Sequence, residues 1–402
     1  MHTTRSSPLS DALIGYAPIV GRNRNAIATR LSFMDKDGSP LSASRICASL
    51  GQVWPETATP VLVDIGDDVP DAGLLEIEAP RMIWLEVPGR LAGDPEGLEL
   101  IDALHRHGYT LVLRGHPAAE LPPALLPAFK MALIHVDEDR RLDESLDHAR
   151  RAAARRSIPY AQAGVQTIEI MGKCFDTGAE AVIGWPFRDA LDHAGQASSN
   201  PDFMTVSRLL QMIDREEDTE AMEAEVRQDP ALAFRLLRYI NSPAFGLRVE
   251  VQSFRHALMM LGTKKLKKWL ALLLSTSSKN ANLRPVMFAS FRRGLFLEHL
   301  VGDIDPEARD EMFILGVFSL LDKMFSEPFE ELLGRLTLPD RVQESLIGNR
   351  GPYQPYLRIV EAVEQGPHPK LSGMLDEALV SLDRCNQSIL RALTGPVAGE
   401  AA

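Results

Sequence analysis

Chemistry in a protein needs the right side chains close together, and here the spacing rarely provides that. The chain carries 10 histidines, 3 cysteines and 55 aspartates and glutamates among its 402 residues. Cys47, Cys174 and Cys385 lie far apart and form no C-x-x-C pair, which argues against a zinc finger or a disulfide framework and fits a reducing cytoplasm. His256, His299 and His368 have no i,i+4 or paired spacing with an acid that would build a metal site. His299, on an apolar run near Phe296, reads as a structural histidine. No GxxxxGK[ST], GxSxG, HExxH or GxGxxG occurs. Lys264, Lys265, Lys267 and Lys268 form one basic cluster. Beside Trp269 and Leu270 it reads as a solvated helix face, with a patch for an acidic partner or nucleic acid as the alternative. The net charge of −12 argues against a dedicated nucleic-acid binder. No residue is assigned a catalytic, cofactor-binding or metal-binding role, and no cofactor is expected.

The elements that would position such residues change character near the middle of the chain. Apolar strand-like runs at Ile14–Val20, Ile27–Phe33, Val61–Ile65, Met82–Val87, Thr110–Leu113 and Met131–Val136 alternate with helical patterns such as Pro95–His107. Arg140–Arg156 reads as a surface helix. Strands alternating with helices predict a parallel sheet, open or closed. The small, polar stretch Asp189–Asp202 reads as a linker, with a second domain from about Asn200. Beyond it the periods are helical: Phe203, Val206, Leu209, Leu210 and Ile213 share one face, and Asp229-Pro230 and Asp305-Pro306 read as helix starts. The expected fold is α/β plus all-α, with domains at 1–199 and 200–394 and a frayed tail at 395–402. The N-terminus lacks a secretory apolar stretch, and Trp269–Leu274 is too short to span a bilayer, so a cytoplasmic location with no membrane partner is expected.

The stretch Gln228–Gly262 is the most specific in the chain. Asp229, Pro230 and Leu232 start a helix; Leu236, Leu237, Arg238, Asn241 and Ser242 end it; Ser253, Ala257, Leu258, Leu261 and Gly262 follow on the next. This pattern resembles the HDOD family, all-helical relatives of the HD phosphohydrolases, and the resemblance extends more weakly to about Gln365. In the phosphohydrolases a helix resembling G-L-L-H-D-I-G supplies a His-Asp metal pair. The corresponding run here is Gly316–Asp322, with Ser319 at the His position and Leu320 at the Asp position. Leu cannot ligate a metal and a neutral Ser hydroxyl is a weak ligand.

In the first half, Tyr16–Val20, Ile27–Met34, Gly108–Gly115, Phe129–Asp137, Ala163–Thr167 and Ile183–Phe187 resemble, in order, the motifs of EAL domains. Those are TIM-like barrels that hydrolyse cyclic di-GMP with two metals. The resemblance puts Arg30 at the metal-binding Glu and Met34 at the phosphate-contacting Arg. It puts Arg114 and Gly115 at the Asp-Asp pair, and His135 at a Lys, with Asp137 retained. Ala163 and Gln166 replace two glutamates, and Ile183 replaces a Gln. A two-metal site needs carboxylates, and arginines at two of these positions would repel a cation. Cyclic di-GMP binding is not expected, although Arg30 and Arg114 are able to contact phosphate.

Together the resemblances imply a degenerate TIM-like EAL barrel followed by an all-helical HDOD domain. The implied function is non-catalytic bacterial signal transduction, related to cyclic di-GMP, through protein partners that the sequence does not name. The alternatives are a non-hydrolysing cyclic di-GMP receptor and, more weakly, a metal-dependent phosphohydrolase.

Overall fold

A computed structural model describes residues 9, 12–37, 39, 41–115, 121–138, 158–188, 201–227, 256, 262–264, 266–268, 270–271, 281–302, 308–325, 328–333 and 338–395. Most of Gln228–Gly262, the helix expected at Arg140–Arg156, most of the linker and the start at Asp305-Pro306 lie outside them. The chain divides into two compact units. One holds Met1–Arg188 and Arg358–Thr394, the other Asp189–Leu357 and Gly395–Ala402.

The first unit is built on strands β1 (Ala12–Gly21), β2 (Ala26–Asp35), β3 (Val61–Asp64), β4 (Ile83–Pro88), β5 (Thr110–Arg114), β6 (Phe129–His135), β7 (Tyr160–Ala163) and β8 (Ala181–Ile183). They close into a barrel in chain order. β1 runs antiparallel to both its neighbours, and the other pairs are parallel. The sheet expected from the alternation is therefore closed. β7 and β8 were not expected as strands: at four and three residues they are too short to show a period in sequence.

Helices fill the crossovers where the sequence supplies caps. The Ser42 side chain accepts from Arg45 N–H to start α1 (Ala43–Val53). Asp94 caps α2 (Pro95–His107), Pro95 sits at its first position, and Gly108 ends it at φ 106°. Thr167 caps α3 (Ile168–Asp176).

Inside the barrel, one cluster takes at least one residue from each strand: Ile19, Ala28, Leu62, Trp84, Val112, Met131, Leu133, Ala161, Ala163, Ala181 and Ile183. Because side chains alternate along a strand, this cluster fixes which residues point inward higher up.

In the second unit, α4 (Pro201–Asp214) and α5 (Thr219–Arg227) precede α6 (Arg284–Val301), α7 (Arg309–Phe318), α8 (Leu321–Phe325), α9 (Phe329–Leu333) and α10 (Asp340–Ile347). Helix α11 (Gln354–Glu364) contains the division between units, and α12 (Lys370–Glu377) and α13 (Leu382–Thr394) group with the barrel. This grouping thus places 358–394 with the barrel. An amphipathic helix shows in sequence that it buries one face, but not against which core.

Candidate functional site

The parallel strands all end at one mouth of the barrel, and the inward positions there carry charge. Arg30 on β2 follows inward Ala28, Asp64 on β3 follows Leu62, Glu86 on β4 follows Trp84, and Arg114 on β5 follows Val112. Two of the four were singled out in the sequence. Asp64 and Glu86 were missed, because a lone acid at a strand end has no spacing signal of its own. Their signal was the burial of a carboxylate in a run as apolar as Ile83–Val87.

These four side chains neutralise one another. Arg30 Nε donates to Glu86 Oε2 at 2.8 Å and its Nη2 to Glu86 Oε1 at 2.9 Å. The same Nη2 lies 2.9 Å from Asp64 Oδ2. Arg114 Nε is 3.3 Å from Glu86 Oε1, and its Nη2 pairs with Asp67 Oδ1 at 2.9 Å and donates to the Gly66 carbonyl. Asp64 Oδ1 accepts from Gly66 N–H at 2.9 Å, which shapes the loop after β3.

Glu86 is buried, at 2% exposure. Burial pushes its carboxyl above the usual range and the Asp64 charge adds to this, against the pull of Arg30 and Arg114. For Arg30, burial opposes the charge, but Glu86 and Asp64 outweigh it and hold the guanidinium protonated. The fork-on-carboxylate geometry is that of an ionised pair.

The EAL resemblance implies divalent metal at this mouth, and the residues present do not fit one. Arg30 already bridges Asp64 and Glu86 as their counter-cation, and a second cation would meet the guanidinium. The remaining positions carry little that binds metal. His135 lies at the end of β6 with Nδ1 3.2 Å from Asp137 Oδ2, both largely exposed. Ala163 has no ligand atom, and Gly164 beside it packs on the His135 ring: an added Cβ would lie 2.3 Å from Nε2. Met34, Gly115, Gln166 and Ile183 bring no carboxylate to the mouth.

The His-Asp position of the second unit is also occupied. Arg293 Nη1 donates to Ser319 Oγ at 3.0 Å, and Ser319 Oγ donates to the Gly316 carbonyl at 2.8 Å. Leu320 is buried. A guanidinium on the hydroxyl leaves that position unsuited to a metal as well. Among the described residues, no three His, Cys, Asp or Glu side chains group closely enough to hold a metal ion. His256, His299 and His368 are all half-buried.

The basic cluster is partly spent on internal ion pairs. Lys267 pairs with Asp214, and Lys268 reaches Glu298 at 2.8 Å and Asp310 at 2.9 Å. Lys264 is exposed, and Lys265 lies outside the described residues. No helix among the described residues is long and apolar enough to cross a membrane.

Residues 201–326 match the HDOD domain. Cyclic di-GMP phosphodiesterase CdgJ of Vibrio cholerae is 29% identical over 168 residues, 41% of this chain and 39% of that protein. The uncharacterized protein YuxH of Bacillus subtilis is 23% identical over 214 residues, 52% of each. The matches thus span about half or less of the length of these relatives. Among solved structures, Klebsiella pneumoniae BlrP1 with calcium and cyclic di-GMP is similar at a TM-score of 0.33 and 15% identity, covering 46% of this chain and 57% of that one. A standalone EAL protein of Vibrio cholerae bound to cyclic di-GMP is similar at 0.33 and 12% identity, covering 44% and 91%. Neither structural likeness is close enough to bear on the chemistry.

Proposed function

We propose that this chain, an EAL-like barrel with an HDOD domain, is a non-catalytic regulator in cyclic di-GMP signalling that acts through protein partners. The observation that carries the reading is the Arg30 guanidinium held between Glu86 and Asp64. A barrel that hydrolyses a phosphodiester with metals needs those carboxylates free to offset the cations. Here they are committed to a side chain that cannot leave.

The same pairing speaks against a non-hydrolysing receptor. Arg30 and Arg114 carry two positive charges, against three negative charges on Asp64, Glu86 and Asp67, so a phosphate entering the mouth meets cations that are already paired. The name of the relative CdgJ favours the other reading, that this barrel is a phosphodiesterase.

One experiment separates these readings. The purified full chain is incubated with cyclic di-GMP and magnesium or manganese, product formation is followed by chromatography, and nucleotide binding is followed by calorimetry. No linear product and no heat are expected. Turnover would establish the phosphodiesterase, and heat without turnover would establish the receptor.

A further inference from the structure

The end of the barrel that carries the ionic layer also meets the C-terminal part of the first unit. β1 is ten residues long but pairs with β8 only through Ile19, Val20 and Gly21. Its remaining residues stand beyond the end of β8, at the mouth. Ala17 and Ile19 face the barrel interior, so by alternation Gly15 does too. Gly15 pairs with Ser32 on β2, one inward position beyond the Ala17–Arg30 pair.

What lies against Gly15 is the chain's own backbone. A Cβ on Gly15 would be 2.5 Å from Gly366 Cα and 2.7 Å from Pro367 N. Only a residue without a side chain permits that approach. The turn after α11 is made by Gly366 at φ 107°. A side-chain hydrogen bond holds it. Trp185, just past β8, donates its indole N–H to the Glu364 carbonyl at 2.8 Å and meets Tyr16 edge to face at 5.5 Å. On α13, the fully buried Asn386 donates from Nδ2 to the carbonyls of Leu9 at 2.9 Å and Ala12 at 2.8 Å.

We infer that Glu364–Pro367 is a strap laid over the β1–β2 side of the barrel mouth, pinned by the Trp185 hydrogen bond, which shuts ligands out of the layer beneath it. The inference concerns access to the mouth, which thiol labelling reads without any nucleotide.

Thiol labelling of the full chain tests it. Cys47, Cys174 and Cys385 are buried, and burial pushes the thiols of Cys47 and Cys385 up to about 12, so the native cysteines stay silent. Ser32→Cys reports from beneath the strap, and Glu56→Cys reports from an exposed site. In the folded protein a bulky maleimide should modify Ser32→Cys about tenfold or more slowly than Glu56→Cys, the protection expected of a site that reacts through local opening. Adding Gly15→Ala, whose methyl collides with Gly366, should raise the Ser32→Cys rate with the circular-dichroism melt still cooperative. Trp185→Phe, which removes the indole hydrogen bond and keeps an aromatic ring of smaller size, serves should Gly15→Ala fail to fold, and should also raise it. Equal rates for the two reporters in the parent chain, or no rise with either release variant, would overturn the strap. Nucleotide turnover in the assay above would overturn both the functional reading and the strap as a cover of the ionic layer, whereas fast labelling without turnover would overturn the strap alone.

Discussion

Arg30 donates to both oxygens of Glu86 and reaches Asp64, so removing its charge leaves two carboxylates side by side in the barrel. Breaking a buried pair from one side typically costs about 3–5 kcal/mol, whereas replacing both partners with groups of similar size costs far less. Arg30→Met is therefore expected to lower stability by roughly that amount. Arg30→Met with Glu86→Gln should be less damaging than the sum of the single changes, and urea denaturation of the four proteins checks it. Asp71 allows a pH prediction. Partial burial opposes its ionisation, but hydrogen bonds from Ser44, Ser42 and Gly73 outweigh burial and hold its pKa below the ordinary value. A depressed carboxylate stabilises the fold above its unfolded pKa of about 3.9 and loses that contribution as pH falls through the lower folded value. Asp71→Asn should therefore flatten the fall in melting temperature below about pH 4.

Helices α6 and α7 cross where two glycines meet. A Cβ on Gly316 would be 2.5 Å from the Arg293 carbonyl carbon and from Gly294 N, and one on Gly294 would be 2.7 Å from Val317 Cγ2. Sequence reading valued Gly316 only as the first residue of a degenerate metal motif; in the fold it sets how closely the helices approach. Gly316→Ala should cost about 1–3 kcal/mol by overpacking, read as a loss of thermal stability. Elements with a full period were legible in the sequence. Six strands were expected near their observed places, and α2 was marked by Asp94, Pro95 and Gly108. β7 and β8 were not expected, since three or four residues carry no period. Arg30 and Arg114 were singled out by motif order, and both lie at inward positions near the ends of their strands. Their partners Asp64 and Glu86 were illegible because ion pairing across strands depends on register, which periodicity alone does not reveal.

For the whole molecule, the helical segment 358–394 groups with the barrel, so most of the second unit lies in sequence between two stretches of the first. Truncation at residue 357 should therefore damage the barrel rather than trim a tail. It removes Asn386, and with it two buried amide hydrogen bonds to the Leu9 and Ala12 carbonyls, each worth about 0.5–1.5 kcal/mol net. Asn386→Ala gives the same prediction on a smaller scale: lower stability, with hydrogen exchange speeding up first around residues 9–17.

That Asn386 grips Leu9 also sets a clock. The two residues are 377 apart in sequence. At about 5–20 residues per second, the ribosome needs on the order of 20–75 s to make the second after the first. Throughout that interval β1 exists without the side chain that caps its outer end. The leading strand of the barrel is therefore made well before the residue that finishes it, and must be kept from wrong partners while the chain between them is made.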